Sequence, residues 1–248
     1  MKVKDITAAI EQFAPLSIQE GWDNSGLCIG APEDEVHGVL VGFDCTPELV
    51  DEAVARGCDM VVTHHPLIFR GLKRIQGGEP VADAVIRAVR AGVAVYAAHT
   101  TADKVIAGVS GAMARRLGLR DIALMEDEGG YGLGAVGTLP HPMTGEEAIA
   151  YVKEKFGLTA VRVSKPVACV EKVAMCGGSG ASEIDAARAT GAQLYISGDI
   201  SYHHFFTPEG FMVMDIGHFE SEVDIVEILS KVIREKFPTF AVRISDNL

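Results

Sequence analysis

Three short segments of the chain combine imidazole and carboxylate side chains at spacings that suit metal coordination. They are adjacent His64 and His65 in THHP, His99 followed by Asp103, and His218 followed by Glu222. Neutral histidine nitrogens and carboxylate oxygens are common ligands of Zn, Fe and Mn. Residues four apart share one helical face, so His218 and Glu222 can reach one point if the chain is helical there. These candidate ligands are too many for one tetrahedral site and suit two divalent ions.

A structural alternative exists for each of these side chains. A single histidine at the end of a strand is more often a hydrogen-bonded structural residue than a ligand, and a lone His-x-x-x-Glu on a helix is only slightly more specific. The sequence nevertheless presents imidazole or carboxylate groups after several different predicted strands. This convergence favours metal binding over separate structural roles.

The elements that position these residues alternate between short apolar runs and amphipathic helical patterns. Strands are predicted at 39–43, 59–66 and 93–99, with helices at 46–57 and 81–92 between them. This alternation is typical of a mostly parallel sheet covered by helices. In such sheets the ligand crevice lies beyond the carboxyl ends of the strands, where His64, His65 and His99 are expected.

An internal repeat relates the two halves of the chain. An offset of 134 residues aligns 39–64 with 173–198, and an offset of 119 then aligns 96–103 with 215–222. The repeat predicts an α/β fold of two related units with mostly parallel sheets and the metal site in the cleft between them. The Gly- and Pro-rich segment 126–145 predicts a boundary near residue 125. The first predicted domain, 1–125, carries HHP and HTTAD, and the second, 126–248, carries GHFESE.

Three other segments leave two interpretations each. Asp199 and His203 in SGDISYHHF either line the metal site, or Asp199 merely caps a turn. The glycines of 176–183 could hold an anion through backbone N–H groups, although an ordinary strand-to-helix turn is favoured. Cys45 and Cys176 are interpreted as small buried residues, because nothing nearby marks either as an activated thiolate.

Composition excludes several classes of protein. The 248 residues carry a formal net charge of −12, which argues against binding to long nucleic acid or to an anionic membrane surface. Five cysteines form no C-x-x-C pair, and no run of about eighteen apolar residues occurs. The N-terminal segment is predicted to be an amphipathic helix with Ile6, Ile10 and Phe13 on one face. A cytoplasmic protein without disulfides is therefore expected.

Five motifs in their order along the chain make the sequence similar to a known family. They are EGWDNSGLCIG, THHPLIF, AAHTTAD, SGDISYHH and DIGHFESE. With them the chain resembles the NIF-three-like family of dinuclear metal-centre proteins, also known as GTP cyclohydrolase 1 type 2 homologues. The resemblance covers essentially the whole chain. It implies a homohexamer of toroidal shape whose metal sites face an internal cavity.

The resemblance also implies residue roles. Two divalent ions per chain, Zn, Fe or Mn, would be bound by these ligands: His64, His65, Asp103, His218 and Glu222. Asp103 or Glu222 would be available to bridge, and His99 becomes a catalytic residue beside the ions. The family usually has Asn and Leu where this chain has Thr101 and Ala102, so substrate contacts are expected to differ there. The WDNSG segment, 22–26, is either a cavity or interface element or a buried aromatic anchor.

These features favour a metal-dependent hydrolase that acts on a nucleotide or a similar small molecule through a metal-activated water. His99 could move a proton, because imidazole titrates near neutral pH. The assignment to GTP rests on the resemblance alone. The main alternative is a metal-binding scaffold or regulatory protein without turnover, and a metal-dependent phosphoesterase or nuclease acting on small nucleotides is a third hypothesis.

Overall fold

The computed structural model describes residues 1–247 and divides into two compact α/β units. The first comprises Met1–Ala102 together with the residues from Ile225 onward, and the second comprises Asp103–Asp224. The first eight helices and strands along the chain are α1 (Val3–Phe13), β1 (Gly26–Ile29), β2 (Gly38–Gly42), α2 (Pro47–Ala55), β3 (Met60–Thr63), α3 (Pro80–Ala91), β4 (Ala94–Ala97) and α4 (Thr100–Asp103). The remaining elements are α5 (Val109–Leu117), β5 (Arg120–Leu124), β6 (Ala135–Met143), α6 (Gly145–Phe156), β7 (Arg162–Val163), β8 (Val170–Met175), α7 (Ile184–Ala189), β9 (Leu194–Ser197), β10 (Met212–Asp215), α8 (His218–Glu222), α9 (Asp224–Lys236) and β11 (Ala241–Ile244).

Each unit has its own sheet. The first has the strand order β1-β4-β3-β2-β11, and the second has the order β5-β6-β8-β9-β10-β7. In the first sheet all neighbours are parallel except β1 and β4. In the second, β8, β9 and β10 are parallel, and the strands around them are antiparallel. The predicted α/β fold of two related units is confirmed, with antiparallel pairing only outside the run of parallel strands in each sheet.

Three parallel strands in each sheet follow the predicted repeat. Val39 lies opposite Met60 in the β2–β3 ladder, and Val173 lies opposite Leu194 in the β8–β9 ladder, which reproduces the offset of 134 residues. The third strand of the repeat, β4 or β10, is offset by one residue less than the predicted 119. The segment joining the second and third strands also differs, because α3 precedes β4 whereas only a short 3-10 turn at Tyr202–Phe205 precedes β10.

The division of the chain differs from the predicted boundary near residue 125, and the sheets give the reason. β5 pairs with β6, so the residues just before 125 belong to the second unit. At the other end of the chain, β11 adds to the first sheet as a parallel partner of β2. The first unit is therefore discontinuous in sequence, which a single boundary cannot describe.

Local sequence signals account for most element ends. The Thr46 hydroxyl accepts a hydrogen bond from the backbone N–H of Leu49 and caps α2, with Pro47 at its first position. Gly92 ends α3 in the left-handed conformation (φ 68°), which glycine adopts without the Cβ clash of other residues. The predicted N-terminal helix is α1, in which Ile6 and Ile10 are fully buried.

Packing of aliphatic side chains stabilises each sheet. In the first unit Leu40, Val61 and Val95 are fully buried between the central strands and the helices. Each such side chain contributes roughly 1.5–3 kcal/mol when it is removed from water. All five cysteines are free. Among residues 1–247, none of the helices is long and apolar enough to cross a membrane.

Candidate metal centre

His64 and His65 directly follow β3 and are held by the end of the neighbouring strand. Both of their backbone N–H groups donate to the carbonyl oxygen of Phe43, at 3.1 and 3.3 Å. The Thr63 hydroxyl donates to the carbonyl oxygen of His65 at 2.8 Å, within the turn that ends the strand. Adjacent residues of an extended strand point to opposite faces. Here the two ring centroids lie only 4.8 Å apart, because the strand has ended.

The rings of these two histidines are each oriented through Nδ1. His64 is fully buried, and its Nδ1 lies 2.9 Å from the carbonyl oxygen of Ala98. His65 Nδ1 lies 2.8 Å from a carboxylate oxygen of Asp44, the residue that follows Phe43. Carbonyl and carboxylate oxygens only accept hydrogen bonds, so Nδ1 must carry the proton in both rings. In the neutral ring the lone pair then lies on Nε2, the atom through which each ring would bind a metal ion.

His99, beyond the end of β4, is oriented in the same way. Its Nδ1 lies 2.7 Å from the carboxylate of Asp23, whose side chain is fully enclosed. The same carboxylate accepts hydrogen bonds from the Ser25 hydroxyl at 2.7 Å and from the Thr100 backbone N–H at 3.1 Å. Burial raises the pKa of Asp23, but hydrogen bonds from His99, Thr100 and Ser25 outweigh it and hold the pKa well below its usual value. The carboxyl group therefore stays ionised at neutral pH.

The ring of His99 has aromatic neighbours on several sides. Its centroid lies 5.4 Å from those of His64 and His65 and 6.0 Å from those of Trp22 and Phe69. Trp22 is 60% exposed, so the interpretation of this residue as a buried aromatic anchor is wrong. The structure thus groups the three predicted histidines of the first unit within one aromatic cluster.

The second unit places His218 and Glu222 on one face of α8. His218 Nδ1 lies 2.8 Å from a carboxylate oxygen of Asp199, and His218 Nε2 lies 3.0 Å from Oε2 of Glu222. The predicted spacing of four residues is confirmed as a shared helical face. Glu222 is only 4% exposed, so an ionised carboxylate there is stabilised by partners and not by bulk water.

Two glycines make room for this arrangement. A Cβ atom on Gly178 would collide with Oε1 of Glu222, and the backbone there has φ +62°. A Cβ atom on Gly198 would lie 2.8 Å from the Cα of His218. The Ser221 hydroxyl links the two segments, accepting from the N–H of Gly178 at 2.9 Å and donating to the carbonyl oxygen of His218 at 2.7 Å. The carboxylate of Glu222 is therefore held in a space shaped by glycine.

Asp103 is the last residue of α4 and is half-buried. The two residues before it, Thr101 and Ala102, are fully enclosed. The departure from the family pattern at these positions therefore lies in the enclosed packing next to Asp103, and a changed substrate contact there stays a prediction.

Three of the predicted ligands, His64, His65 and Glu222, offer atoms that could hold a metal ion. Sequence reasoning missed Asp44 and Asp23 as partners of the histidines. Asp44 had one signal, since it follows the first predicted strand directly. Asp23 had none beyond its place in the WDNSG motif.

The structure decides between the two interpretations of the SGDISYHHF segment and of the glycine turn 176–183. Asp199 orients His218, whereas His203 is exposed and its ring packs against the exposed rings of Tyr202 and Phe206. The glycine turn after β8 donates its N–H groups to serine hydroxyls, as Gly180 does to Ser197 at 3.0 Å, so it is a structural turn and not an anion site.

Burial settles the interpretation of the two cysteines. It raises the pKa of the Cys45 thiol to about 12 and that of the Cys176 thiol still further. Both are therefore neutral buried side chains and not activated thiolates.

Comparison with known proteins places these features in a family. A GTP cyclohydrolase 1 type 2 homolog of Clostridium acetobutylicum is 33% identical over 238 residues, which cover 93% of this chain and 89% of that protein. A protein of the same name from Clostridium perfringens is 32% identical over 242 residues, covering 95% of this chain and 92% of that protein.

Solved structures agree with the sequence comparison. The crystal structure of Staphylococcus aureus protein SA1388 superimposes with a TM-score of 0.90 at 25% identity, covering 100% of this chain and 97% of that chain. The family model Duf34/NIF3 (NGG1p interacting factor 3) matches residues 1–247. With the whole described chain matched by the family model, this protein belongs to the Duf34/NIF3 family.

Proposed function

We propose that this protein is a dinuclear metal-dependent hydrolase that acts on a nucleotide or a similar small molecule through a metal-activated water. One observation carries the proposal: four histidines, spread over both units, have Nδ1 held by an oxygen acceptor, so Nε2 is the ring atom that would bind a metal ion or accept a proton. They are His64, His65, His99 and His218. Histidines that bind metals almost always donate their other ring N–H in this way.

The proposed ligands fit two divalent ions by their chemistry. The first unit supplies neutral nitrogens from His64 and His65, and the second supplies His218 with the carboxylates of Asp103 and Glu222. Carboxylates balance the charge of divalent cations and can bridge them. The space that Gly178 leaves for Glu222 supports this assignment, since a larger residue there would displace the carboxylate.

When bound, divalent ions supply Lewis acidity and a water whose pKa is lowered toward neutrality. The remaining chemistry belongs to the chain. His99 accepts the proton released by the attacking water through Nε2 and returns it to the leaving group. Its Nδ1–H stays bound to Asp23 throughout, so the ring does not turn.

The name of the relatives suggests a substrate class. The two clostridial proteins are named GTP cyclohydrolase 1 type 2 homologs, and we propose a purine nucleotide such as GTP as the first substrate to test. In that reaction the water oxygen would attack C8 of the purine, and the imidazole ring would open.

The metal proposal is tested by elemental analysis of the purified protein. We expect about two ions per chain, drawn from Zn, Fe and Mn, and a clear fall below that in Glu222→Ala. His141→Ala is the matched control, because this exposed histidine lies on β6 and is not one of the proposed ligands. Equal metal content in wild type and Glu222→Ala would contradict the assignment.

The catalytic proposal is tested by incubating metal-loaded protein with GTP, other nucleotides and phosphoesters. We expect turnover of at least one nucleotide and its loss in His65→Ala, with His141→Ala active. Metal-replete protein with no turnover on the whole panel would contradict the hydrolase and favour the metal-binding scaffold.

Two further properties stay predictions. We propose a homohexamer, which light scattering of the purified protein would detect as six times the 26.4 kDa mass of the chain. A cytoplasmic location is likewise predicted, and fluorescence imaging of a tagged chain would check it.

A further inference from the structure

We propose that Asp23 is a positioning residue that fixes His99 in the tautomer with a proton on Nδ1 and a lone pair on Nε2. This inference rests on the proposed hydrolase function for its catalytic consequence. The tautomer itself can be measured without any substrate. Asp23 lies 76 residues before His99 in sequence, and it touches none of the reacting atoms in this proposal.

The geometry of Asp23 supports this role. Its Oδ1 lies 2.7 Å from His99 Nδ1 and 2.6 Å from the backbone nitrogen of Asn24. Its Oδ2 accepts from the Ser25 hydroxyl at 2.7 Å, and from the Thr100 backbone N–H at 3.1 Å and hydroxyl at 2.5 Å. The side chain is fully enclosed, and that of His99 is 16% exposed. A carboxylate with five donors around it has no freedom to turn away from the imidazole.

The donors around Oδ2 explain why an amide cannot replace the carboxylate. Each carboxylate oxygen of Asp23 faces one backbone N–H, that of Asn24 at Oδ1 and that of Thr100 at Oδ2, but Oδ2 also accepts from two hydroxyls. In Asp23→Asn an amide oxygen at the Oδ2 position therefore keeps three bonds, whereas at Oδ1 it would keep two, and we expect it at Oδ2. The amide NH2 group then faces His99 Nδ1. The imidazole must accept at Nδ1, and its proton moves to Nε2. An isosteric substitution therefore exchanges the tautomer and removes the lone pair from Nε2.

The tautomer decides whether His99 can act as a base. An O–H bond of the attacking water breaks, its proton binds Nε2, and the oxygen forms the bond to the attacked centre. The resulting imidazolium is stabilised by the Asp23 carboxylate and gives the same proton to the leaving group, which restores neutral His99. With the proton already on Nε2, the first transfer has no acceptor. A similar tautomer error lowers kcat strongly in hydrolases that use a His–Asp pair.

Side-chain nitrogen NMR tests the proposal directly. Proton–nitrogen correlation spectra of 15N-histidine-labelled protein distinguish the two neutral tautomers, and a His99→Gln spectrum assigns the signal. We expect the Nδ1–H form of His99 in the wild type and the Nε2–H form in Asp23→Asn. Asp59→Asn is the matched control, because Asp59 holds exposed His37 Nδ1 at 2.9 Å in the same unit. It should leave the His99 signal unchanged.

The wild-type spectrum alone can overturn the proposal, since the Nε2–H tautomer there would contradict it even if Asp23→Asn failed to fold. An Nδ1–H tautomer in folded Asp23→Asn would contradict it as well. Thermal unfolding of both variants shows whether they are folded.

Kinetics add the catalytic consequence. On a substrate that the wild type turns over, we expect Asp23→Asn to lower kcat about 10²- to 10⁴-fold with little change in KM, and Asp59→Asn to match the wild type. A full kcat in Asp23→Asn despite the changed tautomer would overturn the role of His99 as the base. If the wild type turns over no substrate, the hydrolase proposal fails, whereas the NMR result still decides whether Asp23 sets the tautomer.

Discussion

The first and second units share three parallel strands but place different metal-binding side chains after them. In the first unit the strand ends present three imidazoles, His64, His65 and His99, whose Nδ1 atoms are held by acceptors. In the second unit the third strand leads into a short helix with one imidazole, His218, and one enclosed carboxylate, Glu222. At these strand ends the first unit therefore offers mainly imidazole nitrogens to a metal ion, whereas the second offers a carboxylate beside its one imidazole.

The connections between strands show how the difference arises. In the first unit the histidines lie on turns fixed by hydrogen bonds from the backbone N–H groups of residues 64 and 65 to Phe43. In the second, Asp199 adopts a left-handed backbone (φ 49°), and glycines approach the backbone and side chains of α8. A histidine on a turn needs a hydrogen-bond acceptor to orient its ring. A buried carboxylate such as that of Glu222 also needs space between neighbouring segments, which glycines provide. Related units can thus supply different ligand chemistry while they keep their central strands.

The largest effect is expected from filling the space beside Glu222. In Gly178→Ala the left-handed backbone costs about 1–2 kcal/mol, and the displaced Glu222 raises the loss of unfolding free energy to roughly 2–5 kcal/mol. The matched control is Gly191→Ala, where φ is +81° but an added Cβ meets no atom within 4 Å. Urea unfolding and metal analysis of both variants measure the effect.

Gly191→Ala should show only the backbone cost and keep its metal. Equal losses in the two variants would mean that the space beside Glu222 does not matter, and the contrast between the units would lose its structural basis.

A smaller effect is expected from the acceptors that orient the histidines. Asp44 in the first unit and Asp199 in the second are each 57% exposed, and each holds a histidine Nδ1 at 2.8 Å. We expect Asp44→Asn and Asp199→Asn each to weaken metal binding about 10- to 100-fold, which titration calorimetry on metal-free protein measures. Asparagine also tolerates the left-handed backbone at 199.

Similar losses in both variants would show that the units contribute equally to the site. A loss in only one would sharpen the comparison, because it would restrict metal ligation to the histidine of that unit. Normal metal affinity in both variants would contradict the proposal that Asp44 and Asp199 orient the histidines that bind the metal.

The smallest effects are expected in the pH dependence of stability that Glu52 and Glu126 cause, two carboxylates that are not among the proposed ligands. Burial raises the pKa of Glu52 in the first unit, but hydrogen bonds from Ser245 and Arg56 lower it to about 2. Wild type should therefore exceed Glu52→Gln in stability above about pH 4.3, and this advantage should vanish as the pH falls toward 2. In the second unit a hydrogen bond with Glu183 raises the pKa of Glu126, so the sign is opposite.

The contribution of Glu126 is present below about pH 4.3 and is lost as the pH rises through its raised value. Glu126→Gln should thus be more stable than wild type at neutral pH and equal to it in acid. Urea unfolding between pH 2.5 and 7 gives both profiles. Parallel profiles for the two variants would contradict the opposite signs.

Much of the fold was predictable because its signals are local. Thr46 and Pro47 predicted the start of α2, and the 134-residue offset predicted the registers of the paired strands. The unit boundary was not predictable in this way, because the pairing of β11 with β2 joins residues about 200 positions apart and leaves no periodic signal.

The sequence by itself determined which histidines and carboxylates are present and which of them lie four residues apart, because residue type and helical periodicity are local properties. Only the tertiary structure decided what orients them. Asp44 holds His65 over 21 residues, Asp199 holds His218 over 19, and Asp23 holds His99 over 76. A hydrogen bond between residues so far apart depends on how strands and turns pack, and no pattern along the chain records its geometry.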